Sequence, residues 1–318
     1  MADVTNDALS ALNSRMKVRV NLRKDFIRNK YVYLMAFPVV LYFFLFHYMP
    51  MYGAIISFKQ FSPGLGIWGS PWVGFQHFRD FFQSFYFWRV LRNTVTISLA
   101  NLFWGFPAPI ILALLLNEVR SAFYKRTVQS LTYIPYFISI VVIAGMIIDF
   151  TQTRGVINDI IVSFGGDRVS MLQRPGHFVP LYVISEIWQQ VGWGTIIYLA
   201  ALTSIDPGLY EASTIDGAHR GHKLWHITLP SIAPTIIILL ILRMGNLMTI
   251  GYEKIILLYN PGIYETADVI STFVYRRGLI DLAWSYSTAV GLFNSVANFS
   301  FLLTANWIST RMKQTSLF

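Results

Sequence analysis

Residues 31–58 read YVYLMAFPVVLYFFLFHYMPMYGAIISF, 28 residues with no Asp, Glu, Lys or Arg among them. An α-helix rises about 1.5 Å per residue, so a hydrocarbon core about 30 Å thick takes roughly 20 apolar residues. The run is therefore long enough to cross a bilayer, and its sequence neighbours repeat the pattern. TVTISLANLFWGFPAPIILALLL (94–116) is a second run, and 131–148, 178–201, 231–250 and 284–308 complete six. The expected fold is all-α and polytopic, with about six transmembrane helices. Pro38, Pro107, Pro109 and Pro234 lie inside or at the ends of these runs. Neighbouring helices can satisfy the backbone groups that proline frees, so they predict kinks, not boundaries.

Composition agrees with this reading. Of 318 residues 54% are hydrophobic and only 13% charged, against about 25% charged in soluble domains. The absence of cysteine excludes a disulfide framework and a thiolate metal site. The net charge of +9 is compatible with nucleic acid, a membrane surface or cytoplasmic loops, and its distribution decides. Arg15, Lys17, Arg19, Arg23, Lys24, Arg28 and Lys30 precede the first run. The positive-inside rule then places the N-terminus in the cytoplasm, and six spans return the C-terminus there. With that topology the inner segments hold about 14 Lys and Arg and the outer loops about 10. The chain divides into a basic, cytoplasmic or interfacial segment 1–30 and a transmembrane domain 31–318. Residues 10–28 alternate apolar and basic positions, as an interfacial helix would, or simply form a basic tail. The first apolar run is too long for a signal peptide and should remain as a helix. Loops near 59–93, 149–177 and 251–283 fall outside the cell membrane and are too long to be plain connections.

Between the fourth and fifth runs lies Ile205-Asp206-Pro207-Gly208-Leu209-Tyr210-Glu211-Ala212-Ser213-Thr214-Ile215-Asp216-Gly217-Ala218. Asp206 suits the N-cap, Pro207 the first helical position and Gly217 the left-handed residue that ends a helix. A short helix over 207–216 is predicted, then a turn and a second helical piece from about His222 to Leu229 leading to Pro230 and the fifth span. On residue chemistry alone this cytoplasmic hairpin of about 205–230 is either a docking element or a lid.

The spacing E-A-A-x3-G-x9-I-x-L-P is met by Glu211, Ala212, Gly217, Ile227, Leu229 and Pro230, with Ser213 in place of the second alanine. With it the chain resembles the membrane subunits of bacterial type I ATP-binding-cassette importers. Serine keeps the position small, so close packing is preserved. PMYGAIISF (50–58), SPWVGFQHF (70–78), FWRVLRNT (87–94), GFPAPIILALLLNE (105–118), YEKIILLYNPGIYETADVISTFVYRRGL (252–279) and GLFNSVANF (291–299) extend the resemblance to the carbohydrate-uptake branch. Within it the chain is similar to permeases for polysaccharide-derived oligosaccharides, those of alginate importers included. The resemblance implies a multi-pass protein of the bacterial inner membrane that forms half of a translocation path. It implies a second permease, homologous and different, as partner. Two cytoplasmic ATPases would bind ATP and Mg, and an extracytoplasmic solute-binding protein would deliver the oligosaccharide. It also implies that Glu211, Ala212, Ser213, Asp216, Gly217, Ile227, Leu229 and Pro230 couple the chain to the ATPases. The chain itself has no G-x-x-x-x-G-K-[ST] phosphate loop, so no enzyme activity is expected of it.

His219, His222 and His226 are spaced to share a helical face, a pattern open to a metal, but Gly221 weakens such a helix and exposed histidines are the plainer reading. Charged groups are costly inside a bilayer and should face the bundle interior. Glu186, Gln189, Gln190 and Trp193 recur on one face of the fourth span, Arg243 and Asn246 on one face of the fifth, and Asn294 and Asn298 on one of the sixth. These stripes, with Tyr136, Trp188 and Tyr198 as flat surfaces for sugar rings, predict a hydrated oligosaccharide route. The alternative is that Arg243 pairs with Glu186 only to join two helices. An unpaired Arg243 would favour an acidic sugar. Two rival functions remain at this level: an ion-driven secondary transporter using Arg243 and Glu186, and an intramembrane enzyme using Glu186 or His47.

Overall fold

A computed structural model describes residues 26–311. The predicted interfacial helix over 10–28 therefore lies almost entirely outside the described residues. The chain divides at Ile55/Ile56 into two units, the second carrying everything from Ile56 onward. Among the described residues the architecture is helical, with one isolated β-bridge between Lys59 and Trp72.

Among the described residues five helices are long and apolar enough to cross a membrane: α1 (Lys30–Phe58), α3 (Phe87–Glu118), α5 (Ile140–Ser163), α8 (Arg220–Met244) and α11 (Trp284–Arg311). Between them lie α2 (Gln76–Gln83), α4 (Ala122–Tyr133), α6 (Pro175–Thr203), α7 (Pro207–Ile215), α9 (Tyr252–Leu258) and α10 (Ile270–Tyr275). The predicted fourth span is α6. Its 29 residues reach about 43 Å, but Glu186, Gln189, Gln190 and five glycines and prolines lower its apolar character.

Two predicted spans are shifted. The third begins at Ile140 and not at Leu131, because the Ser139 side chain accepts from the Val142 amide as N-cap and Pro135 sits in a separate 3-10 turn, Ile134–Phe137. Residues 122–133 form α4 instead, capped by Ser121. The fifth does not start after a separate piece at 222–229. From Arg220 the backbone runs through a π turn, Leu224–Thr228, into the apolar helix without a break, and it ends at Met244, not Ile250. Pro230 falls just after the π turn inside this continuous helix, where its missing amide leaves one backbone bond unmade. A further π turn, Asn101–Gly105, interrupts α3 two residues before Pro107.

Three apolar clusters hold the second unit together. One joins Ile97, Phe178, Tyr182, Ile250, Ile255 and Val269 around the first half of α6. A second joins Phe81, Phe87, Val90, Phe273 and Val290, where rings meet edge to face, as Phe81 and Phe87 do at 5.1 Å. The third, Ala113, Tyr198, Leu202 and Ile232, binds the far half of α6 to α3 and α8. Gly192 allows the close approach of α6 to α4: a Cβ there would fall on the Thr132 carbonyl.

Candidate functional site

The hairpin is built by its caps. The Asp206 carboxylate accepts from the Gly208 amide at 2.9 Å, and Pro207 opens α7. At the far end Gly217 takes φ +75°. The Ala218 amide donates to the Ser213 carbonyl at 2.9 Å and the Gly217 amide to the Thr214 carbonyl at 3.1 Å. These are the paired bonds of a Schellman stop, and they need the left-handed residue that glycine supplies.

Two side-chain bonds tie α7 to α8. Tyr210 Oη and Thr228 Oγ1 are 3.0 Å apart, and Lys223 Nζ donates to Thr214 Oγ1 at 2.8 Å. Tyr210 and Ser213 are the half-buried residues of α7, and the Ser213 hydroxyl donates to the Tyr210 carbonyl at 2.8 Å. Serine at this position is satisfied within the helix. Outward stand Glu211, Ala212, Asp216 and Ile215, an isoleucine 87% exposed. Ile227 and Leu229 are half-buried at the start of the long helix, and Pro230 is exposed. His219 Nε2 and His222 Nδ1 are in hydrogen-bond contact at 2.9 Å, and the His222 and His226 rings stack at 5.3 Å.

The second feature is a charged cavity of about 270 Å³ lined by Asn101, Glu186, Gln190, Trp193 and Arg243 among others. A smaller polar one of about 80 Å³ shares Asn101, Glu186 and Arg243 and adds Tyr182, Asn246 and Thr249. Arg243 sits in the last turn of α8, where the exposed carbonyls of the helix end favour a cation. It is exposed and forms no ion pair among the described residues. Glu186 is paired instead with Lys254 of α9, Nζ to Oε2 at 3.0 Å. The helix-joining pair anticipated between Arg243 and Glu186 is thus replaced by one the sequence did not suggest.

The polar stripes separate. Glu186, Gln190, Trp193 and Arg243 meet in one cavity, and Asn246 lines the other. Gln189 is buried and lines neither. Tyr136 stacks on Trp193, centroids 4.5 Å apart and planes 4° from parallel, so it reaches the cavity through that ring. Asn298 is occupied inside the bundle: it accepts from the Met248 amide at 2.7 Å and donates to Thr249 Oγ1 at 2.8 Å, holding the break after α8. Asn294 lines a separate apolar cavity of about 570 Å³ with Tyr252 and Trp284. Trp188 is exposed, and Tyr198 belongs to the third apolar cluster. Asn101, in the π turn of α3, was not singled out from sequence; π turns recur where a helix serves a site.

The segments 87–94 and 264–276 are clamped together. Asp268, fully buried, receives Arg89 at 3.0 Å and Arg276 at 2.8 Å. Asn93 donates to the carbonyls of Glu265 and Asp268, and Thr94 Oγ1 accepts from the Ile270 amide.

Residues 105–314 match the family model described as binding-protein-dependent transport system inner membrane component. Protein LplB of Bacillus subtilis is 47% identical over 92% of either chain. The polygalacturonan/rhamnogalacturonan transport system permease protein YteP of the same organism is 42% identical over 100% of this chain and 99% of its own. A chain in the crystal structure of a bacterial ABC transporter involved in the import of the acidic polysaccharide alginate superposes with a TM-score of 0.85 at 45% identity, covering 92% of this chain and 99% of that one.

Proposed function

We propose that this chain, which belongs to the binding-protein-dependent transport system inner membrane components, forms half of the translocation path for acidic oligosaccharides. As a permease subunit of an ABC-type oligosaccharide importer it is a multi-pass protein of the bacterial inner membrane, and not itself an enzyme. The ion-driven carrier gains no support: the similarity runs to importer permeases over the whole chain.

The observation that carries the acidic substrate is the division of charge in the cavity. Glu186 is neutralised by Lys254, so Arg243 gives the route an uncompensated positive charge. A guanidinium forks onto a carboxylate, the group that distinguishes a uronate from a neutral sugar. The stacked Tyr136–Trp193 pair beside it offers a flat apolar surface to a pyranose ring. One relative is described as a permease of a polygalacturonan/rhamnogalacturonan transport system and one solved structure as a transporter involved in import of the acidic polysaccharide alginate, which agrees with this charge.

In this reading α6 is the fourth of six spans, its polar face turned to the path, and both termini are cytoplasmic. Segment 1–30 lies at the inner surface and 31–318 form the transmembrane domain. A homologous but different permease completes the path, two ATPases that bind ATP and Mg grip the exposed face of α7 at Glu211, Ala212, Asp216 and Gly217, and an extracytoplasmic binding protein delivers the oligosaccharide. Ile227, Leu229 and Pro230 begin the helix that carries Arg243, so movement at the hairpin reaches the cavity through continuous backbone. The test is ATP-dependent uptake of a uronate oligosaccharide and its neutral methyl ester by the reconstituted importer. Arg243→Ala should lower the acid-to-ester ratio severalfold; an unchanged ratio refutes the acidic route, and uptake without ATP refutes the importer.

A further inference from the structure

Glu186 lies where two cations compete for one carboxylate. Lys254 Nζ is 3.0 Å from Oε2, and Arg243 lines both cavities that Glu186 lines. Burial decides which cation wins. The Lys254 side chain is 3% exposed, with Nζ 5.0 Å from the centroid of the Tyr182 ring, and Glu186 is its ion-pair partner. An ammonium so enclosed is unstable without a carboxylate. Arg243 is exposed and has the carbonyl end of its helix beside it, so it tolerates being unpaired. Burial pushes the Lys254 ammonium below the ordinary lysine range and Glu186 works against that shift, so its charge depends on this partner.

We propose that Lys254 is a specificity-determining positioning residue: by holding Glu186 it keeps the Arg243 guanidinium free to receive the carboxylate of an anionic substrate. Lys254 touches no substrate; it acts on the arginine through the glutamate. Were Glu186 to pair with Arg243, the guanidinium would be occupied and the lysine would be buried alone. The inference rests on the acidic route proposed above, and deepens it by naming what sets the selectivity. Two chain segments are involved that the break at 245–251 separates: Arg243 ends α8, and Lys254 belongs to α9 on the far side of that break.

The experiment uses the complete importer in proteoliposomes, with binding protein saturated by a uronate trisaccharide or by its methyl ester. A second readout is independent of transport: the rate at which phenylglyoxal modifies Arg243, followed by mass spectrometry of the peptide. In Lys254→Met, Glu186 should turn to Arg243. The acid-to-ester uptake ratio should fall about as far as in Arg243→Ala, ester uptake should persist, and labelling of Arg243 should slow severalfold. Adding Glu186→Gln to Lys254→Met removes the stranded carboxylate and should restore both ratio and labelling. Unchanged labelling in Lys254→Met, or no recovery in the double variant, overturns the proposal. If Lys254→Met fails to assemble, the double variant, which buries no lone charge, decides by its ratio: near wild type supports the assignment, near Arg243→Ala overturns it. If Arg243→Ala leaves the ratio unchanged, the acidic route itself fails and takes the role of Lys254 with it. If Arg243→Ala shifts the ratio and Lys254→Met does not, the route stands and the role of Lys254 alone is refuted.

Discussion

Asp268→Asn should be among the most destabilising single changes in the second unit. The carboxylate is fully buried, and one oxygen, Oδ2, receives Arg89 at 3.0 Å and Arg276 at 2.8 Å, while Thr272 donates to Oδ1 at 3.1 Å. Asparagine conserves the volume and removes the charge, leaving two guanidiniums to face each other. Breaking a buried pair from one side costs about 3–5 kcal/mol. The two arginine side chains keep 25% and 23% of their surface exposed, so water absorbs part of the penalty and the lower end, about 3 kcal/mol, is expected. At about 2 °C per kcal/mol for a chain of this size, the unfolding midpoint should fall by about 6 °C. Arg89→Met leaves Asp268 still bound to Arg276 and Thr272, and should cost about half as much, roughly the value of one charge-assisted hydrogen bond. Thermal unfolding of the detergent-purified complex, followed by tryptophan fluorescence, compares the two. A loss for Arg89→Met equal to or larger than that for Asp268→Asn would refute the reasoning, because the shared carboxylate would then not be the centre of the clamp.

Three further changes test the hairpin and its support. Gly217→Ala adds a Cβ with no atom within 4 Å, so its cost is the left-handed backbone alone, about 1 kcal/mol; ATPase subunits should bind up to about fivefold more weakly, and Gly217→Asn should recover part of that in a titration of the reassembled complex. In a double-mutant cycle, Tyr210→Phe and Thr228→Val should show a coupling of about 0.5–1 kcal/mol in ATPase binding, the worth of one neutral hydrogen bond, and a null coupling would mean the two arms act separately. Gly192→Val drives a side chain into the Thr132 carbonyl and the Tyr133 ring; it should cost about 1–3 kcal/mol and shift the emission of Trp193, detected by comparison with Trp193→Phe.

The apolar runs were legible because a bilayer imposes length and composition on a helix before any packing is known. The α7 helix was legible to within a residue, since Asp206, Pro207 and Gly217 state its ends chemically. What failed was continuity. A hydropathy run shows no difference between 131–139 and 140–148, and only the Ser139 cap and Pro135 place the real start. Nor does sequence reveal that a π turn lets 220–228 flow into the next span. At the cavity, periodicity put Asn294 and Asn298 on one face of α11, but a face has several neighbours: Asn298 is spent on the backbone at 248 and Asn294 opens on another cavity. Lys254 left a faint signal, one lysine in the apolar YEKIILL stretch, and nothing in the sequence tied it to Glu186 on another helix.

The continuity that sequence missed has a mechanical consequence. From Lys223 and Thr228, which hold α7, to Arg243 there is one helix, and the 20 residues between Lys223 and Arg243 span about 30 Å at 1.5 Å each. A helix transmits tilt and translation along its axis, so displacement of α7 must move Arg243 unless the π turn at 224–228 absorbs it. Lys254 does not share that helix. It follows the break at 245–251, and α9 lies in the apolar cluster with Val269, next to the Asp268 clamp. Glu186 is on the first half of α6, which packs against α9 through Tyr182, while only the far half of α6 packs against α8. A stroke at the hairpin therefore moves Arg243 against a Glu186–Lys254 pair anchored elsewhere. Under the acidic route proposed above, the charge that meets the substrate would be the one that moves, and the charge that neutralises Glu186 the one that stays. Inserting one residue after Ser231, beyond the π turn, would rotate every later residue of the helix by about 100°; uptake should collapse while hydrolysis by the ATPases persists. Retained uptake would mean that Arg243 need not follow the hairpin, and that coupling runs by another path.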